Sequence, residues 1–295
     1  MNAKERGFLL LTSQLGDPER KPLTVAQFRT LASRVTQMER PKSTRELTGE
    51  DLVALGYDRA MACRIMSLLA SDLALQRYLN RAHLQDCFPV SRVSEGYPLA
   101  VRKRLGQDAP GCLWAKGDIT LLKRQTVSLV GSRELAETNR LFAQCAGREV
   151  ARQGFTLVSG NARGADKAAQ EACLENGGSV ICVVADALQK YPVIQNVLFL
   201  SEDSFDLPFS AQRALSRNRI IHTLGYITLV AQCKARTGGT WDGTVKNLRQ
   251  GWSPVFCFAD GSPVSAELEQ MGADSIGTGQ LSNLSALCPN ITSLF

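Results

Sequence analysis

Residues 127–140 read VSLVGSRELAETNR, in which an apolar strand pattern leads into Gly131-Ser132-Arg133 and then into a helix pattern. Glycine allows a tight backbone turn, the free amides of a helix N-terminus donate hydrogen bonds, and a guanidinium can bind a phosphate through two N–H groups. The stretch therefore predicts a strand, an anion-binding loop and a helix. A plain strand-to-helix turn with a solvated arginine is the alternative.

The alternation of strand and helix patterns continues to about residue 275. Several strand patterns are unbroken apolar runs, such as VICVV at 180–184, and a sheet covered by helices on both faces requires such runs. We therefore predict an α/β fold, a Rossmann-like, doubly wound, mostly parallel sheet with a small N-terminal helical domain. The predicted strands are 126–131, 155–159, 179–185, 197–201, 226–231 and 253–259, and the predicted helices are 134–153, 164–176, 211–224, 243–250 and 264–271.

The rest of the chain carries different patterns. Apolar residues at helical spacing precede residue 85, with helices predicted near 23–32, 49–55 and 58–80. A stretch rich in Pro and Gly follows, which is typical of an irregular connection with short strands. The predicted parts are a helical N-terminal domain at 1–85, a linker or lead-in packing on the sheet at 86–125, the Rossmann-like domain at 126–275 and a C-terminal tail at 276–295.

The composition excludes several classes of protein. A chain of 295 residues with 44% hydrophobic residues is typical of a globular protein rather than a disordered one. No apolar run reaches the roughly 20 residues that span a membrane, and the N-terminal segment lacks the features of a signal peptide. The nine cysteines include no C-x-x-C pair and are predicted to be small buried side chains, so we expect a cytoplasmic protein. The two histidines, His83 and His222, are too few to favour a metal site or a catalytic triad.

A second loop with the chemistry of the first follows the second predicted strand. In an open parallel sheet, ligands bind beyond the carboxyl ends of the strands. Residues 159–166 read SGNARGAD and are followed by Lys167, so backbone N–H groups and Arg163 converge where a helix begins. Asp166 is predicted to cap that helix, to orient Arg163 or to bind a ribose hydroxyl. The acidic residue that a dinucleotide fold places at the tip of this strand is missing, which argues against hydride transfer.

Residues 213–219, RALSRNR, form a third candidate segment. Arg213 and Arg217 are four residues apart and share a helical face, whereas Arg219 points elsewhere. Asn218 adds a donor and an acceptor between two guanidinium groups, which suits phosphate recognition. A surface helix with three unrelated arginines is the alternative.

Residues 237–244, TGGTWDGT, form a fourth small-residue segment before a predicted helix. Trp241 is predicted either to pack in the core or to stack on a base. Neither the GxxxxGK[ST] pattern nor the GxGxxG pattern occurs in the chain, so the prediction depends on the four segments occurring together. A net charge of +6 also favours an anionic partner.

The motifs GSR, SGNARGAD, SRNRII and TGGTWDGT, in this order, resemble those of the DprA (Smf) DNA-processing family, a branch of the Rossmann-like SLOG group. The lead-in from Tyr97 to Leu122 is also similar, and the resemblance covers roughly residues 95–275. It implies a protein that binds and protects single-stranded DNA in a basic groove. The family usually acts as a homodimer and loads a RecA-type recombinase during DNA uptake and transformation. No catalytic residue, metal or cofactor is carried over.

The candidate DNA- and phosphate-binding residues come from these four motifs. The arginines are candidates for phosphate contact, and the small residues are candidates for shaping the pocket. The candidates are Gly131, Ser132, Arg133, Ser159, Gly160, Arg163, Gly164, Asp166, Lys167, Arg217, Asn218, Arg219, Gly238, Gly239 and Thr240.

Two other functions remain open at this stage. The same loops could bind a free nucleotide in a SLOG-type sensor or nucleotide-processing enzyme, in a defence or mobile-element context. Related enzymes that cleave nucleoside monophosphates carry PGGxGTxxE, but here two further residues intervene and Asn247 stands at the glutamate position. Alternatively, the N-terminal helices are an interaction module, because residues 1–45 hold nine Lys or Arg against four Asp or Glu.

Overall fold

The computed structural model describes residues 1–38, 47–202 and 204–288. Nine strands within this part of the chain form one sheet in the order β1-β2-β6-β5-β4-β3-β7-β8-β9. The strands are β1 Cys87–Ser91, β2 Cys112–Gly117, β3 Thr126–Val130, β4 Thr156–Ser159, β5 Ser179–Val184, β6 Val197–Glu202, β7 Thr228–Val230, β8 Val255–Phe258 and β9 Asp274–Ile276. The α-helices are α1 Ala3–Thr12, α2 Val25–Gln37, α3 Gly49–Ala54, α4 Arg59–Leu69, α5 Asp72–His83, α6 Leu99–Leu105, α7 Glu137–Arg152, α8 Ala165–Glu175, α9 Ala211–Ser216, α10 Asn218–Leu224, α11 Gly238–Gln250, α12 Pro263–Gln270 and α13 Leu284–Leu287.

The sheet is wound in two directions from β3. The chain runs outward through β4, β5 and β6, and then adds β7, β8 and β9 on the other side of β3, all in parallel pairs. The connections that leave β3 and β7 therefore diverge, which is the arrangement that opens a ligand crevice at the carboxyl ends of the strands. The predicted α/β, Rossmann-like and mostly parallel fold is confirmed.

Helices cover both faces of the sheet. One face packs against α1, α5, α7 and α8 through side chains such as Leu9, Leu75 and Phe142. The other face packs against α6, α10, α11 and α12 through side chains such as Val101 and Ile221. This two-sided burial explains the unbroken apolar strand patterns. Within the described ranges, no helix has both the length and the apolarity needed to cross a lipid bilayer.

The N-terminal helices are divided between two cores. Helices α2, α3 and α4, with one side of α1, enclose a small core around Leu31, Leu52 and Ile65. In contrast, α1 and α5 also pack into the core beneath the sheet. The domain boundary at residue 85 therefore remains a prediction. Part of the basic excess counted over 1–45 lies outside the described residues, because 39–46 are not described.

The segments on either side of the predicted Rossmann-like domain also contribute to the sheet or its core. In the lead-in, β1 pairs with β2 and β2 pairs with β6, both antiparallel, so residues 86–125 extend the sheet at one edge. In the tail, Leu281 and Leu284 are buried in the core under α7. The tail residues 289–295 lie outside the described residues.

Several helix boundaries differ from those predicted. The helix predicted at 211–224 is two helices, α9 and α10, which meet at Arg217, and the one predicted at 58–80 is divided into α4 and α5. Apolar residues have helical spacing on both sides of each break, so the periodicity of the sequence does not show where one helix ends and the next begins. Helix α11 begins at Gly238 rather than at residue 243, so TGGTWDGT forms its first turns rather than a loop. The sequence did not predict α1 or β9.

Truncations in the two cores should have separable effects. Leu9 and Leu52 are 1% and 0% exposed, and truncating such a leucine costs about 2–5 kcal/mol. We expect Leu9→Ala to lower the free energy of unfolding of the sheet and Leu52→Ala to loosen mainly α2, α3 and α4. Urea unfolding followed by tryptophan fluorescence measures the first effect, because all three tryptophans lie between residues 114 and 252. Equal shifts for the two variants would contradict the separation of the cores.

Candidate nucleic-acid interface

A cavity of about 580 Å³ opens at the carboxyl ends of the central strands. The loops after β3 and β4 form one side of it, with Arg133 and Ala162 among the lining residues. The start of α11 and residues 204–217, a segment between β6 and α10 that we call the arm, form the other side. The cavity thus occupies the switch point between β3 and β7, where the sheet topology places a ligand.

Two glycines allow the loops after β3 and β4 to touch. A Cβ atom on Gly131 would collide with the side chain of Ala165, and one on Gly164 would collide with the carbonyl groups of Ser132 and Arg133. Gly164 also has φ of +82°, which L side chains rarely adopt. The contact is completed by the Ala165 N–H, which donates to the Ser132 carbonyl at 3.1 Å. The two predicted loops therefore form one continuous surface.

The guanidinium of Arg217 lies at the floor of the cavity against Gly160. A Cβ atom on Gly160 would overlap Nη1, Nη2 and Cζ of Arg217, so only glycine leaves room for this contact. The Nε atom of Arg217 is buried and has no hydrogen-bond partner among the described residues. Burial lowers the pKa of Arg217, and the charge of Asp166 opposes that shift.

Asp166 is buried beneath the loop rather than exposed to a ligand. Its carboxylate accepts hydrogen bonds from the N–H groups of Gly160 at 3.0 Å and Ala162 at 3.1 Å. Burial raises the pKa of Asp166, while Arg217 and these two donors act in the opposite direction. The carboxylate therefore shapes the loop and compensates the charge of Arg217, which differs from the predicted orientation of Arg163.

The opposite wall is tied to the first by the start of α11. The side-chain amide of Asn218 donates to the Gly239 carbonyl at 2.9 Å, and the Thr240 hydroxyl donates to the Gly131 carbonyl at 2.9 Å. Because α11 begins at Gly238, its first amide groups face the cavity without intrahelical acceptors. This end of a 13-residue helix therefore adds a partial positive charge to the site.

The exposed cations around the cavity differ in their partners. Arg133 and Arg163 are exposed and form no salt bridge with any residue that the structure describes. Lys167 pairs with Glu171 at 3.6 Å. Lys234, which the sequence analysis did not select, pairs with Glu134 at 2.7 Å and thereby lowers the pKa of Glu134. Arg133 and Arg163 are therefore the cations most accessible to an anion.

Six candidates from the sequence do not line the cavity, namely Ser159, Gly160, Arg163, Gly164, Lys167 and Arg219. Arg219 is paired with Glu202, with one N–H to carboxylate distance of 3.0 Å, and also bonds to Ser216. Ser159 is fully buried and accepts a hydrogen bond from Gln170. Arg213, on the same helical face as Arg217, instead binds backbone carbonyls of the arm. The structure therefore brings Arg133 and Arg217 together with the glycine loops at the cavity, whereas Arg163 lies outside the lining and Arg219 is paired with Glu202.

Several cavity residues were not selected by the sequence analysis, among them Phe209, Leu215 and His222. Phe209 and Leu215 line the cavity and are 55% and 47% exposed. Neither belongs to a recognisable loop motif, although exposed apolar residues beside a basic segment are a possible signal. His222 also lines the cavity, and burial lowers its pKa to about 3. It accepts a hydrogen bond from Asn247 at 3.1 Å, so its ring is neutral.

Two further residues that the sequence analysis considered lie in the interior of the protein. Asn247 is fully buried and bonds to Ser253 and His222, so it does not reach the cavity surface. Trp241 is 9% exposed and packs in the core, which leaves it no open face for a base. Among the residues that the structure describes, no group of three or more His, Cys, Asp or Glu side chains is placed to hold a metal ion.

Comparisons with known proteins agree with one another. The family described as DNA recombination-mediator protein A matches residues 89–257. DNA processing protein DprA from Streptococcus pneumoniae is 30% identical over 218 residues, which cover 70% of this chain and 73% of that protein. An X-ray structure of S. pneumoniae DprA superposes with a TM-score of 0.72 at 24% identity, covering 97% of this chain and 98% of that one. A Helicobacter pylori DprA structure, described in terms of its single-stranded DNA binding mode, has a TM-score of 0.57 at 22% identity, covering 69% and 97%.

The contact between the two loops predicts a steep cost for a side chain at Gly164. Gly164→Ala should lower the free energy of unfolding by about 1–3 kcal/mol more than Gly106→Ala does. Gly106 is a matched control, because its φ of +51° and ψ of −114° resemble the φ of +82° and ψ of −123° of Gly164, but no atom lies within 4 Å of the position that a Cβ would occupy. Both variants place a side chain in a similar backbone conformation, so the difference in chemical unfolding reports the collision. Equal costs would show that the loops can separate freely.

The buried neutral histidine predicts a pH dependence of stability. Because the pKa of His222 is about 3 in the folded chain and about 6.5 when unfolded, the unfolded chain takes up the proton first as the pH falls. Stability from this group is present above pH 6.5 and decreases below it by about 1.4 kcal/mol per pH unit. His222→Gln should flatten the slope of unfolding free energy between pH 6.5 and 4.5, whereas exposed His83→Gln should not. An unchanged slope in His222→Gln would contradict the shift.

Proposed function

The chain belongs to the DNA recombination-mediator protein A family, and we propose that it binds single-stranded DNA at the cavity between β3 and β7. In this proposal it protects the strand and loads a RecA-type recombinase during DNA uptake and transformation. The family membership supports the DNA-processing role, and the chemistry of the cavity supports the location of the site.

The observation that carries the proposal is the convergence of incompletely paired cations on one cavity. Arg217 and the exposed Arg133 line the cavity, and the exposed Arg163 follows the lining residue Ala162 in the loop after β4. The Nε of Arg217 is buried and has no partner among the described residues. A phosphodiester in this position would supply the hydrogen-bond acceptors that the loops do not. Guanidinium groups that already have partners, such as that of Arg219, are not part of the proposed contact surface.

The apolar side of the cavity supports a single strand rather than a duplex. Phe209 and Leu215 present exposed apolar surface next to the cationic loops. Unpaired bases can contact such side chains, whereas bases inside a duplex are stacked on one another and cannot. We therefore propose that phosphates contact the arginine side and that bases face the arm. The H. pylori relative, whose structural description concerns single-stranded DNA, supports this choice of ligand.

The remaining parts of the proposal rest on the family. We propose a homodimer that acts in the cytoplasm, with a recombinase as its protein partner and with no resident cofactor or metal. We also propose that the protein is not an enzyme, because the residue at the position of the catalytic glutamate of related nucleotide-cleaving proteins is the buried Asn247. Binding, rather than bond cleavage, is what the side chains around the cavity can perform.

A free-nucleotide sensor is the second candidate. The cavity volume of about 580 Å³ and the helix N-terminus at Gly238 would also suit one nucleotide. Calorimetric titration with mono-, di- and cyclic nucleotides, beside oligonucleotides of increasing length, separates the two. Affinity that rises with length favours the DNA-binding proposal, and tight binding of one small nucleotide favours the sensor.

Charge removal at the two exposed arginines provides the direct test. Arg133→Ala and Arg163→Ala should each weaken binding to an oligothymidine strand, and the slope of log K against log salt should fall by about 0.7 for each lost phosphate contact. Fluorescence anisotropy over a salt series measures both quantities. Neither side chain is buried, so the fold should be unaffected.

Arg249→Ala is the matched control. It removes one exposed positive charge from the last turn of α11, about 15 Å along the helix from Gly239. We expect its affinity and salt slope to stay close to those of the unmodified chain. Undetectable binding in low salt, or equal effects of all three substitutions, would contradict the proposed site.

A further inference from the structure

Helix α5 of the N-terminal region holds the start of the arm. The Tyr78 hydroxyl lies 2.6 Å from the Ser204 hydroxyl, and the guanidinium of Arg81 forms an ion pair with Asp206. Ser204 also donates a hydrogen bond to the Asp206 carboxylate. These four side chains, Tyr78, Arg81, Ser204 and Asp206, form a connection that we call the latch.

The residue inside the latch is anchored as well. Phe205 is fully buried, with its ring 5.0 Å from that of Tyr78 and 4.9 Å from that of Trp114. Its carbonyl accepts a hydrogen bond from the Leu188 N–H at 2.8 Å. The start of the arm is therefore fixed between α5 on one side and the sheet on the other.

Arg213 connects the rest of the arm to its start. The guanidinium of Arg213 donates to the carbonyls of Leu207 and Pro208, and also to that of Ala185 after β5, each at 2.9 Å. Asp186 accepts a hydrogen bond from the backbone of Phe209. The carbonyls next to Asp206 thus set the position of α9, and α9 ends at Arg217.

The latch lies at the edge of a second cavity. This cavity, of about 1250 Å³, is lined by side chains of α1 and α2, such as Phe8 and Phe28, and by Tyr78, Ser204 and Asp206 of the latch. The latch, with the Phe205 ring, is therefore a connection through which the N-terminal region can act on the arm.

We propose that the N-terminal region sets the affinity of the DNA site through the latch, with Asp206 as a positioning residue that does not touch DNA. This inference rests on the proposed function. DNA binds when the arm holds Arg217 against Gly160, and the latch keeps the arm in that state. When only a fraction of molecules is competent to bind, the apparent Kd is the intrinsic Kd divided by that fraction.

The sign of the effect of Asp206→Asn separates this role from simple electrostatics. Removing an acidic charge near a site for a polyanion strengthens binding if only the long-range field changes. Loss of the latch, in contrast, weakens DNA binding. We expect Asp206→Asn to bind oligothymidine about three- to fivefold more weakly, the scale of a partly exposed ion pair. Its salt slope should match that of the unmodified chain, because no phosphate contact is lost, whereas Arg133→Ala lowers the slope.

Two further variants complete the experiment. Tyr78→Phe removes only the hydroxyl that meets Ser204, changes no charge and should weaken binding in the same direction. Asp72→Asn is the matched control, because Asp72 lies at the other end of α5 and pairs with Arg6 at 2.5 Å. It removes an acidic partner of an arginine without touching the arm, so its affinity should be unchanged or slightly higher. Thermal unfolding of each full-length variant identifies any that fails to fold.

The outcomes are distinct. Weaker binding by Asp206→Asn with an unchanged salt slope, beside normal binding by Asp72→Asn, supports the latch. If Asp206→Asn binds as tightly as the unmodified chain, or more tightly, the latch proposal is wrong. If Asp206→Asn does not fold, Tyr78→Phe replaces it: weaker binding supports the proposal, and unchanged binding contradicts it. Absence of binding by the unmodified chain overturns the proposed function instead, so the two failures cannot be confused.

Discussion

The contact between the guanidinium of Arg217 and the backbone of Gly160 is the interaction on which the candidate site depends. Placing a cation in a partly buried position costs free energy unless hydrogen bonds or an opposite charge compensate it. Asp166 supplies the opposite charge, and the N–H groups of Gly160 and Ala162 hold its carboxylate in place. The loop that leaves room for the Arg217 guanidinium therefore also holds the Asp166 carboxylate that compensates its charge. The Nε of Arg217 is buried and has no hydrogen-bond partner among the described residues.

The arginines of this chain serve two different purposes. Arg213 and Arg219 bind carbonyl groups and Glu202, and Arg104 donates to the carbonyls of Thr223 at 2.9 Å and Gly225 at 2.5 Å. Burial lowers the pKa of Arg104 to about 10. These side chains connect helices to strand ends and add nothing to the accessible charge of the cavity. A net charge of +6 therefore indicates an anionic partner but not which cations meet it.

The site also depends on parts of the chain outside the predicted Rossmann-like domain. The helices α1 and α5 bury apolar side chains under the same sheet that carries the cavity, and the arm joins β6 to helix α10 on the opposite face. The wall with Phe209 and Leu215 is consequently held from both sides of the sheet. Such a wall can be stable although Phe209 is 55% exposed, because the buried Phe205 ring and the hydrogen bonds from Arg213 to backbone carbonyls fix the position of the arm.

The sequence by itself determined the fold class, the strand-end positions of GSR and SGNARGAD and the family, because apolar periodicity and glycine-rich turns are local signals. The sequence did not show that Arg219 is paired with Glu202, that Trp241 is buried or that Phe209 faces the cavity. It also did not show the latch, whose partners Arg81 and Asp206 are 125 residues apart. Only the tertiary structure decided these points, because the partner and exposure of a side chain depend on which distant segments pack beside it.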